Sequence, residues 1–419
     1  MNLFSDTSSR SKRQEEAIQK WINSKLVGTL MCPTGFGKTR CGMLAISRFL
    51  SKNPTRKVII VVPSDPVKHQ WIEETVQWTV FDNCEVRTMF DVSNHEYECD
   101  LLVIDEIHKC ASNQLIKLFN NIKYKIILGL TATFERLDGR DKLISKYCPV
   151  VDTITVEEAI RNNWLSEFRE YLVLIEPKDY SKYEELNKEF NEHFSFFNYD
   201  FDLAMGCSTD WKKRANLAKE MCHEDDFKDV NKQILIHATG FNRTLQARKK
   251  YINNHSRKIE LAEMILEHRM DKKCITFSAT VAMAEKIKYG QVYSGKDSAK
   301  KGRMTLSEFI NQDGGILNTI SKVNEGLNCP DISVAIMLGI NSSKTVATQR
   351  KGRVIRYQTG KIAEIFTLVL RGTVEEKWFQ NSNTSSSYIT ISEDNLLDVL
   401  EGREFTPKKN KTTSMLFRF

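Results

Sequence analysis

The stretch Met31-Cys32-Pro33-Thr34-Gly35-Phe36-Gly37-Lys38-Thr39 decides the reading of this 419-residue chain. It is a Gly-rich turn that follows an apolar run and ends in Gly-Lys-Thr. Glycines let consecutive backbone N–H groups converge on an anion, and a helix starting there adds the positive end of its dipole. The arrangement suits a triphosphate, with Lys38 reaching the β- and γ-phosphates and Thr39 ligating Mg²⁺. Cys32 stands where the strict G-x-x-x-x-G-K-[ST] pattern has its first Gly, so the match is incomplete.

A second stretch, Leu101-Leu102-Val103-Ile104-Asp105-Glu106-Ile107-His108, is an apolar run of strand length that delivers two adjacent carboxylates at its end. Ligands of α/β sheets bind at strand ends, where Asp105 can hold Mg²⁺ through water and Glu106 can polarise the attacking water. Taken alone, an Asp-Glu pair after a strand is common in surface turns. Downstream of Gly-Lys-Thr it reads as a Walker B segment and the second half of an NTP site.

The length predicts two or three domains, each able to bury a core. A hydrophobic share of 41% and a charged share of 27% are those of a globular protein. No apolar run approaches the length of a membrane span, and Met1 to Arg13 lacks the apolar core of a signal peptide. The expected compartment is therefore the cytosol or nucleoplasm, or a host cell's cytoplasm. Cysteines 32, 41, 84, 99, 110, 148, 207, 222, 274 and 329 form no C-x-x-C pair, which argues for reduced thiols and against a zinc ribbon. The net charge of +7 is compatible with a polyanionic partner and does not by itself demand one.

Short β-rich runs at Val27 to Met31, Lys57 to Val62, Leu101 to Ile104 and Ile126 to Leu130 alternate with helical stretches, predicting a parallel, doubly wound sheet. A second series, Tyr171 to Ile175, Cys274 to Phe277, Gly315 to Thr319, Val334 to Leu338 and Ile362 to Val369, predicts another. The fold class expected is α/β, divided as 1–152, 153–372 and a C-terminal extension, 373–419. A polar, aromatic-rich stretch of about 179–257 reads as helices inserted in or on the second domain. Its runs Trp211-Lys212-Lys213-Arg214 and Arg248-Lys249-Lys250-Tyr251 suit phosphates and bases, although a solvated helix face is the commoner origin of such runs. After the Ser/Thr-rich loop 382–387 a short acidic helix, Glu393 to Glu401, and a basic tail are expected.

Further segments follow in a fixed order, and with them the chain resembles a superfamily 2 helicase or translocase with two RecA-like domains, from about Arg13 to Arg356. Arg13-Gln14 with Ala17-Ile18 resembles the glutamine motif that reads adenine. Val61-Val62-Pro63-Ser64 through Gln70-Trp71 resembles motif Ia, and Arg87-Thr88 marks motif Ib. Thr131-Ala132-Thr133 resembles motif III. Its continuation to Gly139 resembles the T-A-T-P-x-R-x-D-G segment, with Phe134 in place of Pro. That segment belongs to the branch of DNA-repair and transcription-factor helicase subunits, type I and III restriction translocases and phage branch-migration helicases. Cys274 to Ser278 resembles motif IV, Thr319 to Pro330 motif V with Asn328 in place of Asp, and Gln349-Arg350-Lys351-Gly352-Arg353-Val354-Ile355-Arg356 motif VI, Q-x-x-G-R-x-x-R.

The resemblance implies roles for named residues. Catalysis falls to Lys38, Asp105, Glu106, His108, Gln349, Arg353 and Arg356. The two arginines, three apart on a helix face, would reach across the cleft to the γ-phosphate. Nucleotide contacts fall to Gln14, Pro33, Thr34, Gly35, Phe36, Gly37, Lys38, Thr39, Arg40 and Gly326, and Mg²⁺ to Thr39 and Asp105. Nucleic-acid contacts fall to Pro63, Ser64, Arg87, Thr88, Ser278, Thr319 and Lys322, and coupling between the sites to Thr131, Thr133 and Arg136. The expected ligands are ATP with Mg²⁺ and DNA that is duplex, forked or branched. An RNA helicase, an ATP-switched binding module and the motor subunit of a larger machine are the rivals. A compact phage or viral enzyme would fit so short a plan, acting as a monomer or with a partner.

Overall fold

The computed structural model describes residues 8–52, 54–134, 139–222, 226–294, 299–320, 329, 331–341, 343–383 and 388–404. Arg136, Lys322, Gly326, Asn328 and the basic tail lie outside the described residues.

In the first half, α1 (Ser9–Asn23) precedes β1 (Val27–Met31), α2 (Lys38–Lys52), β2 (Val58–Val62), α3 (Asp65–Gln77), β3 (Cys84–Thr88) and α4 (Met89–Asn94). There follow β4 (Tyr97–Glu98), β5 (Leu101–Asp105), α5 (Leu118–Asn121), β6 (Ile122–Lys123), β7 (Ile126–Thr131), α6 (Asp141–Ser145), β8 (Val150–Thr153) and α7 (Val156–Arg161). Six of these strands form one sheet in the order β3-β2-β5-β7-β1-β8, every pair parallel. All residues of β2 and β5 are buried, because helices cover both faces and an unbroken Val/Ile/Leu run satisfies both. The short strands β4 and β6 pair separately.

In the second half, β9 (Glu167–Ile175) leads into α8 (Ser181–Ser195), α9 (Phe201–Thr209), α10 (Trp211–Met221), α11 (Phe227–Asn253) and α12 (Ser256–Glu267). Then come β10 (Lys273–Ser278), α13 (Val281–Ala284), β11 (Gln291–Tyr293), α14 (Ala299–Asn311), β12 (Gly315–Ile320) and β13 (Val334–Met337). The last elements are α15 (Lys344–Val354), β14 (Ile362–Leu370), α16 (Val374–Ser382), β15 (Ile389–Ser392) and α17 (Glu393–Glu401). The second sheet, also parallel throughout, has the order β11-β12-β10-β13-β14-β9-β15.

Two features depart from the simple sequence pattern. The strand β15, from the segment set apart as an extension, pairs with β9 inside the second sheet. A fully buried Lys258–Glu375 ion pair of 2.5 Å also ties α12 to α16. The helices α8 to α11 enclose a core of their own around Phe190, Phe197, Ile234 and Phe241. Within them Arg248 turns inward over the Phe190 ring, at 4.1 Å, and is not part of a basic surface.

All ten cysteines are free thiols. Among the described residues no helix is long and apolar enough to cross a membrane.

Candidate nucleotide site and interdomain cleft

The register explains why the motifs meet. The strands β5, β7 and β1 are neighbours, with Asp105 opposite Leu130 and Met31 opposite Thr131, so the turns leaving their C-terminal ends share one edge of the sheet. Ligands of parallel sheets bind at such an edge. The turn after β1 needs its glycines: Gly35 has φ +91° and Gly37 +103°, and a Cβ on Gly37 would stand 2.7 Å from the Gln14 amide nitrogen. It then runs into α2, whose first residue is Lys38.

Lys38 Nζ lies 2.8 Å from Glu106 Oε1. Burial acts to lower the Lys38 pKa, but Glu106 and Asp105 outweigh it and raise the ammonium's pKa. The same balance acts on Glu106: burial would raise it, yet Lys38 and His108 hold it below the usual carboxylate range. Asp105 goes the other way. Its burial, then repulsion from Glu106, push it up to about 6, against the pull of Lys38 and of the Trp71 hydrogen bond.

Glu106 occupies the left-handed region, φ 52° and ψ 47°, a conformation that costs a non-glycine residue about 1–3 kcal/mol and is characteristic of functional sites. Its N–H donates to Asp105 Oδ1 at 3.0 Å. His108 is buried, with Nδ1 2.8 Å from Thr131 Oγ1 and 3.4 Å from Glu106 Oε2. Thr131 Oγ1 donates in turn to the Thr133 carbonyl at 2.6 Å. His108 thus lies within ion-pair distance of the Glu106 carboxylate and is joined through Thr131 by hydrogen bonds to the turn after β7.

The second sheet closes over this edge. A Cβ on Gly352, in α15, would lie 2.2 Å from Thr34 Cβ, and one on Gly35 would lie 3.2 Å from Arg356 Cγ. The two halves are in contact at the Gly-rich turn after β1. Arg353 is buried in α15, but Arg356 lies beyond its C-cap, in a segment bridged antiparallel to Leu165. This corrects the expectation that both arginines share a helix face: the helix ends between them, and Arg356 approaches from an extended segment. Gln349, on α15, is half-buried. A cleft of about 430 Å³ opens beside the contact, lined among others by Thr34, Thr133, Thr348, Lys351 and Gly352. Gly352→Ala should therefore wedge the halves apart and cost most of the ATP turnover while leaving nucleotide binding by the first half intact, which kcat and fluorescent-nucleotide affinity would separate.

The residues fit a magnesium nucleotide. Thr34 Oγ1 is buried without a hydrogen-bond partner, Lys38 Nζ sits against Glu106 at the end of β5, and Thr39 follows Lys38 at the start of α2. Because Asp105 carries a pKa of about 6 against an ordinary 3.8, the folded state holds an extra proton between those values, and folding stability from this group falls as pH rises through that window. A cation would have to displace that proton. Mg²⁺-dependent nucleotide affinity should accordingly drop roughly tenfold per pH unit below pH ~6, measurable by titration between pH 5 and 8.

The glutamine motif takes a structural form here. Gln14 is 2% exposed; its amide donates to the Phe36 carbonyl at 2.9 Å and accepts from Arg40 at 2.7 Å. Arg10, one helical turn earlier, donates to the carbonyls of Gly35 and Phe36. Sequence reading missed Arg10, although its i, i+4 spacing from Gln14 places both on one face of α1. It also missed that the Trp71 indole donates to Asp105 Oδ2 at 3.0 Å.

The expected nucleic-acid contacts divide. Pro63 and Ser64 lie half-buried at the C-terminal end of β2, and Ser64 Oγ has no partner. Arg87 stacks on Tyr97 and pairs with Glu85 and Asp91, and Thr88 caps α4. Ser278 and Thr319 are fully buried, and Thr319 donates to the Thr276 carbonyl at 2.7 Å. Both lie at the C-terminal ends of β10 and β12 inside the sheet, and Thr319 spends its hydroxyl on the Thr276 carbonyl.

Comparison with known proteins agrees with this geometry. A profile of the type III restriction enzyme res subunit matches residues 8–97 and 88–136, and one of the helicase conserved C-terminal domain matches 257–358. The DNA 3'-5' translocase XPB2 of Sulfurisphaera tokodaii is 25% identical over 384 residues, covering 86% of this chain and 82% of that protein. An African swine fever virus protein named as the ATP-dependent RNA helicase QP509L is 30% identical over 162 residues, covering 31% of this chain and 30% of that protein. Among solved structures, the Pyrococcus furiosus Hef helicase domain aligns with TM-score 0.51 at 16% identity, over 90% of this chain and all of that one. Saccharomyces cerevisiae Dbp5 bound to RNA and ADP BeF3 aligns with TM-score 0.57 at 12% identity, over 93% and 91%. At such identities the last two similarities establish the fold.

Proposed function

The chain belongs to the superfamily 2 helicases with two RecA-like domains, an ATP-hydrolysing family, and from that premise we propose that it is a DNA helicase or duplex translocase acting on forked, branched or duplex DNA. The observation that carries the reading is the seating of Gly352 and Arg356 on the phosphate-binding turn, opposite Lys38 and Glu106. Hydrolysis competence then depends on closure of two halves, which is what a motor needs in order to couple chemistry to movement.

In this reading Lys38 and the amides of the turn hold the triphosphate, Thr39 and Asp105 hold Mg²⁺, and Glu106 orients the attacking water. Arg353 and Arg356 stabilise charge that develops on the transferred phosphoryl group, and His108 reports its presence to Thr131 and Thr133. Bound Mg²⁺ neutralises the phosphate oxygens. Loss of the γ-phosphate contact releases the second half and shifts its grip on the strand. Pro63 and Ser64 hold backbone phosphates without reading sequence. The similarity to XPB2 along most of both chains supports DNA as the track. The QP509L match supports RNA as the second reading.

The helices α8 to α11 supply substrate recognition. Trp211 is 65% exposed at the start of α10, beside exposed Lys212 and Lys213, and Phe201 is 47% exposed on the neighbouring α9. Exposed aromatic rings beside ammonium groups suit bases and phosphates at a junction. Trp211→Ala should weaken DNA binding about tenfold, within the ~1–3 kcal/mol of a stacked base, with ATP turnover in the absence of DNA unchanged. The test of the function itself is ATP-dependent displacement of a third strand from a DNA triplex. Displacement supports duplex translocation, and its absence with retained DNA-stimulated ATPase would confine the enzyme to strand separation.

A further inference from the structure

Trp71 lies midway along α3, and its side chain is committed at both ends. The indole N–H donates to Asp105 Oδ2 at 3.0 Å, while the far edge of the ring presses on Gly42 of α2, where a Cβ would meet it at 2.5 Å. The residue is 1% exposed. A buried indole N–H needs an acceptor, and here the acceptor is the carboxylate at the end of β5. Its other oxygen accepts from the Glu106 N–H at 3.0 Å. Together the two bonds fix the plane of the carboxylate and leave its remaining lone pairs for a ligand.

The same helix begins directly after Pro63 and Ser64. Ser64 occupies the N-cap without making a side-chain capping bond, and its hydroxyl is buried without a partner. One rigid helix of 13 residues thus runs from the strand-end loop to the indole and rests on the helix that carries Lys38. We propose that Trp71 is a positioning residue that orients Asp105 toward Mg²⁺, and that α3 transmits the state of the Pro63–Ser64 loop to that carboxylate. The second half of the proposal rests on the reading of that loop as a DNA phosphate contact.

The test uses Trp71→Phe and, at the same position, the benzothiophene isostere of tryptophan, which keeps the shape and removes only the N–H. Binding of a fluorescent ADP analogue is followed while Mg²⁺ is titrated, with and without single-stranded DNA. Affinity without metal should stay at the wild-type value, and the Mg²⁺ concentration for half-saturation should rise roughly tenfold or more, as expected for losing a hydrogen bond to a charged group. DNA should lower the Mg²⁺ requirement of the wild type and leave that of the variants unchanged. A purely structural role for Trp71 would lower affinity with and without metal alike and would overturn the proposal. So would a wild-type Mg²⁺ requirement in the isostere. A wild-type protein whose ATPase and Mg²⁺ requirement both ignore DNA would remove the loop reading and the transmission through α3, whereas a DNA-stimulated wild type with an unshifted isostere would remove the Trp71–Asp105 link alone.

Discussion

Lys38→Ala should abolish ATP turnover, by at least about a hundredfold, while circular dichroism and the melting transition show a folded chain. Lys38 is the cation that Glu106 and Asp105 face, at 2.8 Å from Glu106. Without it, the burial of Glu106 is opposed only by the weaker pull of His108 and Lys109, so its pKa should move upward and its carboxylate become a poorer acceptor for water. The turn itself is set by its glycines and by Arg10 and Gln14, which hold its carbonyls. The variant should therefore keep its backbone and lose its chemistry. Lys38→Arg should be no rescue, since a planar fork does not replace a compact ammonium. Turnover near the wild-type rate would remove this turn from the mechanism.

Arg353→Ala should lower kcat by about 10³ to 10⁵, the range for arginine fingers, with nucleotide affinity changed only a few-fold. Arg353 follows Gly352, which touches Thr34, so the guanidinium is carried on a turn of α15 that is seated against the Gly-rich loop after β1. Its contribution belongs to the transition state, when charge develops, and to the closed arrangement of the two halves. The effect should therefore appear in kcat and leave KM nearly untouched. A loss confined to KM would place Arg353 in ground-state binding.

The strands that build the two sheets were legible because a parallel sheet covered on both faces demands unbroken apolar runs, as at Val58–Val62 and Leu101–Asp105. The edge strands, β3 and β8 of the first sheet and β11 and β15 of the second, were not, because they are short and mixed with polar residues and so carry no unbroken apolar run. The loops that meet at one edge could be read from motif spacing, since spacing fixes which strand each loop leaves. Burial was not readable at this level. Thr319 and Ser278 carry hydroxyls suited to phosphate, yet their strands lie inside the sheet. Arg248 sits in a basic run, yet helical phase turns it onto Phe190. Helix termination between Arg353 and Arg356 has no signal in Gly-Arg-Val-Ile-Arg, and is set instead by the pairing of the following segment with Leu165. The Trp71–Asp105 bond joins two segments whose adjacency only the fold supplies.

The most direct test of the account is steady-state ATPase activity at one fixed moderate salt concentration, with no polynucleotide, single-stranded DNA, duplex DNA, a branched DNA junction or RNA. The account predicts stimulation by DNA, strongest with the junction. Stimulation by RNA alone would contradict the assignment of DNA as the track, and indifference to every polynucleotide would contradict the motor itself.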